Sequence, residues 1–395
     1  MVMLSMVISI SYYLLFIFIS VYMSARYYRR KSSRRAFLRS GHQLFERVIG
    51  LSTTPKYKMT LGMIFLITFL CFLYNALATN LGAAAGVVGY DRHNYSLNFY
   101  GLRPAQGAGL TFIIFIIRQF TSNLNWLWYV ATLIVMPITL LAYRISREAT
   151  PSALFFFLTT QYIFLTFVNM KQCYACGLVS LCLIVALRNN GLRDKIYCAL
   201  LMALAYAFHP TALIALPLCI IIWVKKSDLH VAAFFLAIAV SILTLKWILP
   251  LAGSVLAHVT PWLASKIVYY LNMMESENKT AEASLLTATK GIPWYMITIL
   301  GCAKRRKLKG KIGNYDNYLL LSGTLSVVYL ASFYNVWIYR LAYYLYLPVT
   351  IFYCQMMRFI RGRDKAFLLY AMVMGLNFLI TIRFLILTYL NFGGF

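Results

Sequence analysis

An all-α integral membrane protein of about twelve transmembrane helices is the fold class that this sequence predicts, and three observations predict it. Hydrophobic residues make up 62% of the 395 positions and charged residues 12%, with mean hydropathy +0.73. A soluble chain of this length could not hide that much apolar surface. Apolar runs of about 17–25 residues recur along the chain, the length that crosses a bilayer as helix. The basic residues gather in short loops between those runs, as in the cytoplasmic loops of membrane proteins. The net charge of +27 therefore records topology, and no nucleic-acid partner is expected.

The apolar segments fall at roughly 2–23, 59–78, 125–143, 152–168, 173–187, 195–209, 210–224, 229–250, 288–303, 317–333, 341–357 and 366–390. The first, followed by "RYYRRKSSRR", looks like a retained span rather than a cleaved signal. Loop 24–58 is strongly basic and is placed in the cytoplasm. Alternation then makes the connections near 144–148, 188–195, 225–228, 304–316 and 358–365 cytoplasmic too. These six loops hold most of the 37 Lys and Arg residues. Both termini face outward, and the whole of 1–395 forms one polytopic domain. Two longer outer regions remain. Region 79–124 contains "LTFIIFIIRQF", too short to span and suited to an interfacial helix. The other is 251–290, with Glu275, Glu277 and Glu282.

Segment 195–224 is the tightest fit. Lys195 and Lys225 both belong inside, so the chain must go out and return in two halves of about 22 Å each, short of a ~30 Å core. Either both helices are short, or the pair is partly re-entrant with His209-Pro210 at its tip. Irregular backbone at that depth needs cover from protein or a wet cavity.

Candidate chemistry follows from scarce charge. Asp91, in "GVVGYDRHNYSLNFYGL", and the three Glu of 251–290 are the acids on the outer side. Asp91 could serve as a general base, or cap a turn as loop Asp residues commonly do. Arg118, Lys171, Arg340 and Arg383 stand at the outer ends of apolar runs. Cations at membrane level are costly unless they meet a cavity, a partner or an anion. Four of them beside few acids point to an anionic substrate, and a guanidinium suits phosphate; snorkelling to the interface is the plainer alternative. The aromatic bed around Arg340, with Trp337 and Tyr343, has two readings as well: an interfacial belt, or flat faces that stack on sugar rings, with Tyr95 as a third. Cys173 and Cys176 form a C-x-x-C with no second pair beside it, so no metal site is assigned.

Several segments together resemble one family. "GYDRHNYSLNF" is similar to the outer-loop Gly-x-Asp-x-x-x-Tyr…Phe pattern of EpsG-type exopolysaccharide polymerases, relatives of the Wzy-type O-antigen polymerases. "NMKQCYACGLVSLCLIVAL" resembles the span those proteins begin with an Arg-Gln pair, here with Lys171 in place of Arg. "ALAYAFHPTALIALPLCII" and "NVWIYRLAYYLYLP" resemble their Phe-His-x-x-Ala-Leu and late Arg-x-x-x-Tyr segments. The order holds from about residue 60 to 390.

The resemblance implies a GT-C-like glycosyltransferase of the bacterial inner membrane, acting on its outer face. A growing glycan on undecaprenyl pyrophosphate is transferred to a new lipid-linked repeat unit. The leaving group is already activated, so no cofactor is needed. Lys171, Arg340, Arg118 and Arg383 would hold the pyrophosphate, and Asp91 or His209 would take the acceptor proton. Polysaccharide export and chain-length proteins are the expected partners. The rival functions are a flippase for the same lipid-linked glycan and a ligase. The absence of a visible internal repeat argues against the flippase.

Overall fold

The computed structural model describes residues 61–84, 92–102, 107–146, 170–188, 191–224, 290–332 and 336–359, with isolated residues at 254, 376 and 379. Among these the chain is all-helical and contains no strand. The apolar segments 2–23, 152–168, 229–250 and 366–390 lie outside the described residues or almost wholly so. The chain divides into two compact units, Met1–Trp223 with Tyr346–Phe395, and Val224–Leu345.

The first unit opens with α1 (Leu61–Ala84). It runs past the apolar segment 59–78 because Ala and Leu continue a helix after hydropathy has fallen. Phe65, Leu66, Phe69 and Leu70 stay exposed, an apolar strip that lipid rather than water would cover. Its buried side carries Asn75, whose Nδ2 donates to the Trp128 carbonyl at 3.1 Å and to Thr132 Oγ1. Both partners lie on α4 (Trp126–Ser146). Between them come two short helices, α2 (Arg92–Phe99) and α3 (Ala108–Arg118).

Helix α2 was not expected from hydropathy, because its sequence is polar. Its signal is local: Tyr95 and Phe99, four apart, are both buried, and Gly101 at φ 78° terminates it. Leu102 N–H bonds Leu97 O at 2.9 Å and Gly101 N–H bonds Asn98 O at 3.3 Å, a left-handed cap. Helix α3 occupies the stretch whose sequence suits an interfacial helix. Leu110, Ile113, Ile114 and Ile117 are buried, while Phe112 and Phe115 face out.

Helix α5 (Met170–Arg188) is the axis of this unit. Every residue from Gln172 to Leu187 is buried, and α4, α6 (Leu192–Phe208), α7 (Ala215–Trp223) and α10 (Tyr346–Phe359) all pack on it. Gly177 lets α4 come close: a Cβ there would lie 3.3 Å from Val135 Cγ1. Helices α4 and α5 are both long and apolar enough to cross a membrane.

Segment 195–224 resolves into a hairpin. Helix α6 ends at Phe208, a 3-10 turn covers Pro210–Ile214, and α7 returns. Cys198 and Cys219, on opposite sides of His209, both meet α5: Cys198 Sγ lies 3.4 Å from Cys182 O, and Cys219 Sγ 3.6 Å from Cys182 Sγ. At the opposite end of the pair, Arg188 Nε lies 3.7 Å from the buried carboxylate of Asp194.

The second unit packs α8 (Ile292–Leu308) against α9 (Tyr315–Ala331). Hydroxyls stitch the seam. Thr298 Oγ1 lies 2.7 Å from Ser322 Oγ and 2.8 Å from Ser326 Oγ, and Tyr315 OH donates to Gly301 O at 2.6 Å. The apolar segment 341–357 is divided. A nine-residue 3-10 helix, Val336–Tyr344, precedes α10, and Pro348 sits in the first turn of α10, where its missing N–H costs least.

Candidate functional site: the His209 end of the first unit

His209 closes α6. Its backbone is extended (φ −152°, ψ 120°), which Pro210 requires of the residue before it. Its N–H donates to Ala205 O and its carbonyl accepts from Ala212 N–H, both at 3.0 Å. The half-buried ring is held through Nδ1, 2.6 Å from Thr211 Oγ1. The imidazole is thus fixed in place at the tip of the hairpin.

The residue before it, Phe208, ties that tip to the rest of the unit. Its ring stacks on Tyr174 of α5, centroids 4.6 Å apart and planes 13° from parallel. On another side it covers Gly109, where an added Cβ would come within 2.8 Å of the ring. Gly107, at φ 101°, brings backbone against the Ala207 and Phe208 carbonyls; a Cβ there would sit 3.1 Å from each oxygen. The "QGAGL" segment is glycine-rich because the chain must pass this closely over the end of α6.

Helix α2 docks on the same end. Tyr95 OH accepts a hydrogen bond from the Lys171 backbone N–H at 3.3 Å, and its ring meets Trp128 edge-on at 6.1 Å. That bond takes up one of the orphan N–H groups of the first turn of α5. Lys171 itself is half-buried, with Tyr174 three residues on along the same helix face.

The sequence-predicted residues therefore divide. Lys171, His209 and Tyr95 come together at one end of the first unit. Arg118 lies near them along the chain path: its Nη1 is 3.5 Å from the position of a Gly101 Cβ, so the guanidinium rests on the carboxyl end of α2, where helix carbonyls favour a cation. Asp91, the residue before α2 in the sequence, lies outside the described residues, as does Arg383. In the second unit the half-buried Arg340 belongs to the 3-10 helix, as do Trp337, whose side chain is not described, and Tyr343, which is 4% exposed and meets Tyr339 edge-on at 5.6 Å. Lys290 Nζ lies 5.5 Å over the Tyr339 ring. Sequence reasoning missed Lys290, Tyr174, Phe208 and the two glycines. The Gly-x-Gly of "QGAGL" and the three-residue step from Lys171 to Tyr174 were the available signals.

No curated protein and no solved structure matches the chain. The model of the EpsG family matches it over residues 65–392, a span that takes in α2, the Lys171 turn, the His209 hairpin and the 3-10 helix of Arg340. The chain belongs to the EpsG family.

Proposed function

We propose that this protein is an exopolysaccharide polymerase of the GT-C-like type, with about twelve spans in the bacterial inner membrane and its site on the outer face. The observation that carries this reading is that Lys171, Tyr95 of α2 and the His209 turn lie at one end of the first unit, within a chain of this family. The substrate is a glycan on undecaprenyl pyrophosphate. The acceptor hydroxyl of a second lipid-linked unit attacks the anomeric carbon, and a new glycosidic C–O bond forms. The bond to the pyrophosphate oxygen breaks and its electron pair leaves with the lipid pyrophosphate. Asp91 or His209 takes the acceptor proton. Lys171 holds the pyrophosphate and stabilises its growing charge, with Arg118 as a further phosphate ligand in the same unit; Arg340 and Arg383 are carried as phosphate ligands by the family resemblance alone. Tyr95, Trp337 and Tyr343 remain the candidates for contact with the sugars.

Deletion of the gene in the source organism, followed by gel analysis of surface polysaccharide, tests the reading. Single repeat units at the surface without a ladder are expected. Loss of all surface glycan, with lipid-linked units trapped inside, would instead identify a flippase. In a complemented strain, the Asp91→Asn/His209→Asn double variant and the Lys171→Met variant at normal protein level should each cut chain extension by about 100-fold, the scale of a lost general base or charge stabiliser. Normal ladders in both variants would refute the assignment.

A further inference from the structure

Tyr174 carries a feature that its packing does not explain. The residue is 1% exposed, its ring is clamped against Phe208, and its hydroxyl oxygen is buried with no hydrogen-bond partner among the described residues. Buried polar groups are nearly always paired, because desolvating an unpaired one costs free energy. Phenylalanine would fill the same space, make the same stack and avoid that cost. The nearby phenol of Tyr95, which accepts from the Lys171 N–H, is not a hydrogen-bond partner of the group. Tyr174 therefore stands near the head of α5, three residues from Lys171, and its ring contacts the residue that leads into His209.

We propose that the Tyr174 hydroxyl is a substrate-binding donor, giving its hydrogen bond to a phosphate oxygen of the lipid pyrophosphate that Lys171 neutralises. This rests on the polymerase reading above and adds a residue to its site. Lysine brings charge without a fixed direction. A phenol clamped between a neighbouring ring and a helix brings one donor at a fixed place, so the two divide attraction from orientation. The Phe208 stack also links this contact to the His209 turn, so that the group holding the leaving phosphate and the candidate base share one support.

The test is Tyr174→Phe in the full-length protein in nanodiscs, with undecaprenyl pyrophosphate as the binding probe and thermal unfolding measured on the same samples. The variant is expected to melt at the same temperature as the wild type or above it, to bind the probe at least about tenfold more weakly, and to shorten the polysaccharide ladder in cells. A variant that binds as tightly as the wild type overturns the inference alone. So does one that unfolds, because that result would give the hydroxyl a structural partner. A wild type that does not bind the probe overturns the polymerase reading and this inference with it.

Discussion

Gly109 shows how narrowly the site is specified at the residue scale. Its missing side chain is the space in which the Phe208 ring lies, and a Cβ would approach three ring carbons to within 2.9 Å. A ring held on its other face by Tyr174 cannot yield easily, so Gly109→Ala should destabilise the protein by about 1–3 kcal/mol, the usual cost of overpacking. The Gly109→Ala/Phe208→Leu double variant should recover part of that loss, since residues in contact are not additive. Melting curves of the single and double variants in detergent check both. Some of this was legible in the sequence. Lys171 and His209 stood out because charge and X-Pro breaks are rare in apolar runs. Tyr174 did not, because a tyrosine in an apolar segment looks like packing until its hydroxyl is seen to lack a partner among the described residues. That depends on α5 and α6 lying side by side, which no local pattern encodes.

At the scale of elements, helix existence was legible and helix ends were less so. Segments 125–143, 195–209 and 317–333 became helices displaced by a few residues, because hydropathy marks where lipid or core begins and capping marks where a helix stops. The turn between α8 and α9 shows what sets such an end. Asp316, in the first turn of α9, receives Arg305 Nε at 2.8 Å and Lys309 Nζ at 2.8 Å from the last turn of α8 and the residue after it. Partial burial pushes the Asp316 carboxyl up, but hydrogen bonds and charge from Arg305 and Lys309 together outweigh it, leaving the group below its ordinary range. A carboxyl lowered in the folded state stabilises the fold above its unfolded pKa and loses that contribution as pH falls through the folded value. Asp316→Asn should therefore cost about 1–2 kcal/mol near neutral pH. The difference in melting temperature between wild type and variant should shrink in acid, below the ordinary carboxylate range, and stay flat above it.

For the molecule as a whole, composition was the most informative signal, since an apolar fraction this large leaves a helical membrane protein as the natural solution. The orientation drawn from the basic loops makes its own prediction. His93, on α2, and Arg193, on the first turn of α6, are both exposed and are assigned to opposite faces of the membrane. A membrane-impermeant thiol reagent should label His93→Cys in intact cells and Arg193→Cys only after permeabilisation, measured against the unsubstituted protein. The reverse pattern would place the His209 hairpin tip in the cytoplasm and remove the polymerase mechanism with it.

Burial of α5 on every side has a consequence for how the protein is made. This helix leaves the ribosome before α6, α7 and α10, its later neighbours, have been synthesised. During that interval its flanks are covered by acyl chains, which are as apolar as leucine and offer it no reason to prefer one orientation. Its sequence suits that interval, since from Ala175 to Leu187 the side chains are apolar or small all round. Assembly then exchanges lipid for protein around a segment already inserted. Gly177 lets α4, which is already in place, press closer than lipid could.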